Sequence, residues 1–198
     1  SVVALCGGGR QLMNTLAIFS GLPGTGKSTL ANRLARELQW TILRIDDVVN
    51  NIPENPGTEF WDSQVEVLLT LTEAQLEIGL SVIVDSVFMN TDRQHAQALA
   101  RKYQAHFRPI YTHLSDEKIW EQRVTARSDQ LDNSAVATWK QVQHQSGHFR
   151  TWEPGTALFV DALEPIGKNY ARVIDFVSQT ETSLQPLEDS VWSAGKYH

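Results

Sequence analysis

Four groups of residues in this 198-residue chain have the types and spacing to handle phosphate. The first runs Gly21, Leu22, Pro23, Gly24, Thr25, Gly26, Lys27, Ser28, Thr29, with Gly21, Gly26, Lys27 and Ser28 on the fixed positions of G-x-x-x-x-G-K-[ST]. Glycines let a backbone wrap closely around an anion with its N–H groups pointing inward, and Gly24 adds to that freedom. A helix opening at this point would aim free N–H groups and its positive dipole end at the same anion. Lys27 would reach the β- and γ-phosphates of ATP, and the Ser28 hydroxyl would ligate Mg2+. Pro23, Thr25 and Thr29 complete the expected ATP-binding stretch.

The second group is Asp46 with Asp47 beside it, the third Asp85 followed by Arg93, and the fourth Arg123 with Arg127. A carboxylate near a bound γ-phosphate can orient an attacking hydroxyl and accept its proton; the loose transition state releases that proton late, so a weak base suffices. Asp46 is the expected base. Asp85 is expected to hold Mg2+, directly or through water, or to meet the acceptor, and Arg93 to fix an acceptor or a phosphate. Arg123 and Arg127 stand four apart, hence on one helix face, where they could stabilise charge spreading over the transferred group.

These groups need elements to position them, and the pattern supplies a parallel sheet flanked by helices. Apolar runs at Leu16 to Ser20, Trp40 to Ile45, Ser81 to Val84, Phe107 to His113 and Ala157 to Asp161 read as strands. Between them lie helical patterns. Leu30, Leu34 and Leu38 follow the glycine loop, and Val65, Leu68, Leu69, Leu71 and Leu76 mark a long helix from Phe60 to Ile78 that Gly79 stops. Further helices are expected from Thr91 to Tyr103, capped by Asn90 or Thr91, and from Ser115 to Arg127. Another reaches about His148 from a cap at Asp132 or Asn133, and the last spans Asn169 to Ser178. Asn50 to Gly57, with Pro53 and Pro56, reads as a loop. In this scheme Asp46 and Asp85 end strands, at the sheet edge where α/β proteins gather ligands.

Bulk properties narrow the partners. The formal net charge is -6, the wrong sign for a protein that grips long nucleic acid through its phosphates. A single cysteine, Cys6, excludes an internal disulfide and fits a reducing, cytoplasmic setting. No apolar run approaches the roughly 20 residues of a membrane span. The expected organisation is a flexible extension over 1–14, one domain over 15–180 with a lid at about 115–150, and a tail over 181–198.

Three classes of protein use such a loop. A GTPase would need an N-K-x-D guanine-reading motif, which is absent. A motor or AAA+ ATPase would want a strand ending Asp-Glu, whereas this one ends Val84-Asp85-Ser86. A small kinase accounts for Asp46, Asp85 and the paired arginines together. The alternative is a nucleotide-binding ATPase or switch module without a small-molecule acceptor.

The combination GLPGTGKSTLA, RIDD, VIVDSVFMNTDR and WEQRVTAR resembles the P-loop kinase group of polynucleotide 5′-hydroxyl kinases, chloramphenicol phosphotransferase and zeta toxins, over Thr15 to Arg127. The resemblance implies an α/β three-layer fold with a five-stranded parallel sheet of order 2-3-1-4-5 and a small helical lid. It puts Lys27 and Ser28 on ATP and magnesium, makes Asp46 the base and Arg127, with Arg123, the lid arginine, and sets the adenine near Asp161 to Pro165. Polynucleotide kinases carry an arginine shortly after the Asp-Asp pair, where this chain has Val48 and Val49. That departure favours a small uncharged or nucleoside-like acceptor. His144 and His148 have metal-pair spacing but no third ligand, so a solvated face is expected. Trp139, Phe149 and Trp152 either line an acceptor pocket or pack the lid onto the core.

Overall fold

The computed structural model describes residues 14–49, 59–130 and 136–179. The expected N-terminal extension (1–13), the Pro53/Pro56 loop, the Asp132/Asn133 cap and the tail after residue 180 lie outside the described residues.

Strand β1 (Thr15–Ser20) is buried at every position, which is what a central strand covered on both faces requires. It pairs in parallel with β3 (Val82–Asp85) on one side and β4 (His106–His113) on the other. Outside these lie β2 (Thr41–Arg44), paired with β3, and β5 (Leu158–Asp161), paired with β4. The order is therefore β2-β3-β1-β4-β5, the order that the family resemblance implies.

Side chains alternate along a strand, so β1 feeds two cores. Leu16 and Ile18 join Val65, Leu68, Leu76 and Trp152 on the face covered by α3 (Glu59–Glu77) and α4 (Asn90–Lys102). Ala17 and Phe19 join Leu30, Leu34, Val173 and Phe176 on the face covered by α1 (Lys27–Leu38) and α7 (Ile166–Ser178). The apolar stripe of α3 is narrower than its sequence suggests: Leu71 is 45% exposed.

Helix α5 (Glu117–Gln130) opens on Asp116, whose carboxylate accepts from Ile119 N at 3.0 Å. Helix α6 (Trp139–His148) opens on Thr138, paired with Gln141 in a reciprocal capping box, and thus later than the expected cap. One further helix was not expected. The chain turns immediately after Arg44 into α2 (Ile45–Val49), so Asp46 and Asp47 occupy the first turn of a short helix rather than the end of a strand. Carboxylates complement the dipole there. No helix among the described residues is long and apolar enough to cross a membrane.

Candidate active site

The glycine loop leaves β1 at Ser20 and feeds α1 at Lys27. Gly21 has φ of 141° and lies against β4: a Cβ here would stand 2.2 Å from the Thr112 carbonyl oxygen. Gly24 has φ of 85° and faces α5, where a Cβ would stand 2.7 Å from Val124 Cγ2. The loop is thus pressed between β4 and α5, with room for glycine only. Thr25 Oγ1 donates to Leu22 O at 2.7 Å and lies 2.8 Å from Thr112 Oγ1, tying the loop to β4. Gly21→Ala is expected to destabilise the fold by about 3 kcal/mol, through strain and overlap, and to abolish binding of a non-hydrolysable ATP analogue. Thermal denaturation and calorimetric titration would measure both.

Lys27 arches back over the loop and donates to Leu22 O at 3.1 Å. It lines a cavity of about 180 Å³ with Pro23, Gly24 and Ser28, and with residues of four other elements, among them Gln145 of α6. α2 supplies Asp46; the end of β3 supplies Asp85 and then Ser86; α5 supplies Arg127. Parallel register explains the level of Asp85, which pairs with Phe19 of β1 and Arg44 of β2 at the carboxyl edge. Asp85 is 3% exposed. Burial pushes its carboxyl above the usual range, opposed by the charge of Lys27 and a hydrogen bond from Ser28. Burial likewise pulls Lys27 down, with Asp85 and Asp46 holding its charge and Arg127 opposing it. Taking these charges out of water costs several kcal/mol per ion, so an arrangement of this kind makes sense around something that completes it.

The Ser28 hydroxyl beside the Asp85 carboxylate is a hard oxygen pair, suited to Mg2+ that keeps waters and phosphate oxygens as its other ligands. The described residues hold no cluster of three or more His, Cys, Asp or Glu that could cage a metal unaided, and the His144–His148 ring pair has no third partner among them.

The two neighbouring carboxylates separate by role. Asp47 is bound by Arg44 at 3.2 Å, and Arg44 also donates to Asn32. Asp46 is exposed and lines the cavity. The arginines separate as well. Arg127 faces the phosphate cavity, while Arg123 donates through both terminal nitrogens to Ala162 O at 3.2 and 3.3 Å, in the turn after β5. Thr29 is exposed on the first turn of α1 and lines neither this cavity nor the larger one beside it.

Arg93, expected to fix an acceptor or a phosphate, does not line this cavity. It is 6% exposed and gives Nε to Phe88 O (3.1 Å), Nη1 to Thr151 O (3.3 Å) and Nη2 to Arg150 O (2.5 Å). Its guanidinium also lies 4.5 Å from the Trp152 ring centroid. The grip matters because Phe88, buried and β-carbon-bearing, sits at φ 53° in the left-handed region, a conformation that persists only when its surroundings enforce it. Burial draws Arg93 down to about 10, still cationic at neutral pH. Arg93→Met is expected to cost about 2–4 kcal/mol of stability, since three carbonyls lose a charged donor. A raised acceptor KM with unchanged melting temperature would instead return Arg93 to the binding site.

Sequence reasoning missed Trp120, whose Nε1 donates to Pro23 O at 2.7 Å and fastens α5 to the loop. It missed Thr112 too. A tryptophan in an amphipathic pattern reads as core, and nothing local marks its indole N–H as bonded to a residue 97 positions away.

With the fold and geometry in place, the kinship of the chain is clear. The family model described as AAA domain (AAA_33) matches residues 16–151, and the chain belongs to that family. No curated protein sequence shows significant similarity. Among solved structures, the chain is similar to an unliganded sugar kinase from Janibacter sp. HTCC2649 (14% identity, 87% of this chain and 99% of that one, TM-score 0.63). It is similar to the Mycobacterium tuberculosis APS kinase CysC in complex with AMPPNP and APS (16% identity, 84% and 99%, TM-score 0.59). It is also similar to Chaetomium thermophilum Kti12 in complex with ADP-AlF3 (14% identity, 83% and 100%, TM-score 0.62). At such identities these likenesses establish the P-loop kinase fold.

Proposed function

We propose that the protein is an ATP-dependent phosphotransferase that moves the γ-phosphate to a hydroxyl of a small, uncharged or nucleoside-like acceptor. The observation that carries this reading is convergence: Asp46 from α2 and Arg127 from α5 open onto the cavity that holds Lys27, Ser28 and Asp85. A binding module needs the loop; it has no use for an accessible carboxylate opposite it.

The loop N–H groups and Lys27 would hold the β- and γ-phosphates, with the adenine side of ATP near Arg123 and Ala162. Ser28 and Asp85 would hold Mg2+, which neutralises charge on the phosphate oxygens when bound. Asp46 orients the acceptor hydroxyl in line and takes its proton as the acceptor oxygen bonds to phosphorus and the bond to the ADP oxygen breaks. Arg127 stabilises the charge spread over the moving phosphoryl group. Lys27 and Arg127 are the only cations lining this cavity among the described residues, and both are committed to ATP. An acceptor that carried its own phosphate would find no counter-charge left.

An acceptor screen read by mass spectrometry tests the proposal: a product heavier by one phosphate, formed only with ATP, is expected. ATP hydrolysis indifferent to every acceptor across a broad library of alcohols and nucleosides would favour an ATPase or switch module instead.

A further inference from the structure

A second, larger cavity of about 520 Å³ lies against the other side of the glycine loop, within the usual size range of small-molecule pockets. The two cavities share no lining residue among the described residues, yet three elements wall both. In the loop, Leu22 and Thr25 face the larger cavity while Pro23 and Gly24 face the phosphate cavity. In α5 the division is Trp120 against Val124 and Arg127, and in α6 it is Ser146 against Gln145. The larger cavity sits under the β4–β5 edge, where Tyr111 and Phe159 turn to the α3/α4 face of the sheet. The loop's lysine leads into α1 on the opposite face.

The walls have a definite chemistry. Tyr111 stacks on Phe149 at 5.8 Å and on His113 at 5.7 Å, and meets Phe159 edge-on at 5.3 Å. Trp152 closes the pocket from beneath, held by Arg93. Arg93 itself is not among the lining residues, and no Lys or Arg lines the cavity among the described residues. One formally charged side chain does, the exposed carboxylate of Glu153, which forms no ion pair with another described residue. The Tyr111 hydroxyl likewise has no hydrogen-bond partner among the described residues. Aromatic faces and a carboxylate attract planar rings and cations; Arg93 already engages the Phe149 and Trp152 rings at 5.1 and 4.5 Å, which leaves Tyr111, Phe159 and Glu153 to a ligand.

We propose that this cavity is a second ligand site, distinct from the nucleotide and acceptor sites, for a small aromatic molecule that is neutral or cationic. Its occupant is coupled to nucleotide binding through the shared wall. Leu22 O accepts from both Lys27 Nζ and Thr25 Oγ1, and Pro23 O accepts from Trp120. A molecule pressing on Leu22, Thr25 and Trp120 therefore moves the carbonyls that set the loop and its lysine. The inference rests on nucleotide binding by the loop only for this coupling; occupancy of the cavity can be measured without any nucleotide.

Calorimetric titrations of the full chain with indole, tryptamine and indole-3-acetate test it. Tryptamine is expected to bind at least as tightly as indole, and indole-3-acetate about tenfold more weakly, because of Glu153. Ser146→Trp, on the exposed rim, is expected to abolish binding while leaving the melting temperature and AMPPNP binding in place. Glu153→Gln is expected to remove the advantage of tryptamine over indole, which keeps the test independent of how Ser146→Trp folds. Saturating tryptamine is expected to change the AMPPNP Kd by about threefold or more, and AMPPNP must then change the tryptamine Kd by the same factor. Failure of either indole or tryptamine to bind saturably would overturn the site, as would unchanged binding to a folded Ser146→Trp protein. Mutually exclusive binding of tryptamine and AMPPNP would place the probe in the nucleotide cavity and overturn it too. Binding with no change in AMPPNP affinity would overturn the coupling.

Discussion

Asp46→Asn is expected to lower phosphoryl transfer by about 10²- to 10⁴-fold in kcat while leaving AMPPNP affinity within about threefold, the signature of a lost proton acceptor. Asparagine keeps the size of the side chain and one acceptor oxygen, so the first turn of α2 should survive. What it loses is the capacity to take the acceptor's proton. The internal control is one residue away. Asp47 is spoken for by Arg44 and 65% exposed in its side chain, so Asp47→Asn should leave kcat within about twofold, as removal of an exposed ion pair usually does. Steady-state kinetics on the acceptor found by the screen, with calorimetry for AMPPNP, separates the two. Equal effects from both variants would mean that the carboxylates act by net charge and that neither is the base.

A second large effect is expected at Arg127. Arg127→Ala should cost about 10³-fold in kcat with little change in ATP affinity, as loss of an arginine that meets the transferred group does in related chemistry. Arg123→Ala should behave otherwise, because its guanidinium is engaged with Ala162 O beyond β5 rather than with the cavity. Its loss should raise KM for ATP and leave kcat within about tenfold, the pattern of an interaction made equally in ground and transition states. Helix spacing groups these two arginines on one face of α5, and their different reach divides them. A kcat loss at Arg123 as deep as that at Arg127 would show that the lid closes further than the present geometry.

The contrast between these arginines illustrates how much the chain discloses before it is folded. Local signals were legible: the glycine spacing and the buried strand runs follow from patterns within a few residues, while the order of the sheet came with the family resemblance. The unforeseen helix α2 is a boundary effect, since Ile45 continues the apolar run of β2 and nothing in Arg-Ile-Asp-Asp says where extension stops. The surroundings of Arg93 were hidden for another reason. An arginine eight residues beyond a strand-end carboxylate looks like a ligand group. Only the fold brings the carbonyls of residues 150 and 151, across 57 or 58 positions, onto its guanidinium. The same holds for Trp120 on Pro23 and Thr112 under Gly21. Contacts set by the return of the chain over long separations leave no periodicity to read, and they are what fix the lid and loop. Trp152 and Phe149 do both of the things expected of them: they stand among the residues of the α3/α4-face core and they line the larger cavity.

The position of β1 has a kinetic corollary. The strand that carries the loop is made first, yet both of its neighbours come much later in the chain: Thr15 N meets Ser81 Oγ across 66 residues, and Ser20 O meets Thr112 Oγ1 across 92. Closures of that length are slow steps in assembling a parallel sheet. The turn at Gly21 is shaped by Thr112 and Thr25 together, so it takes its final form only once β4 has docked. A chain halfway through folding therefore has the letters of the motif and not yet the cradle.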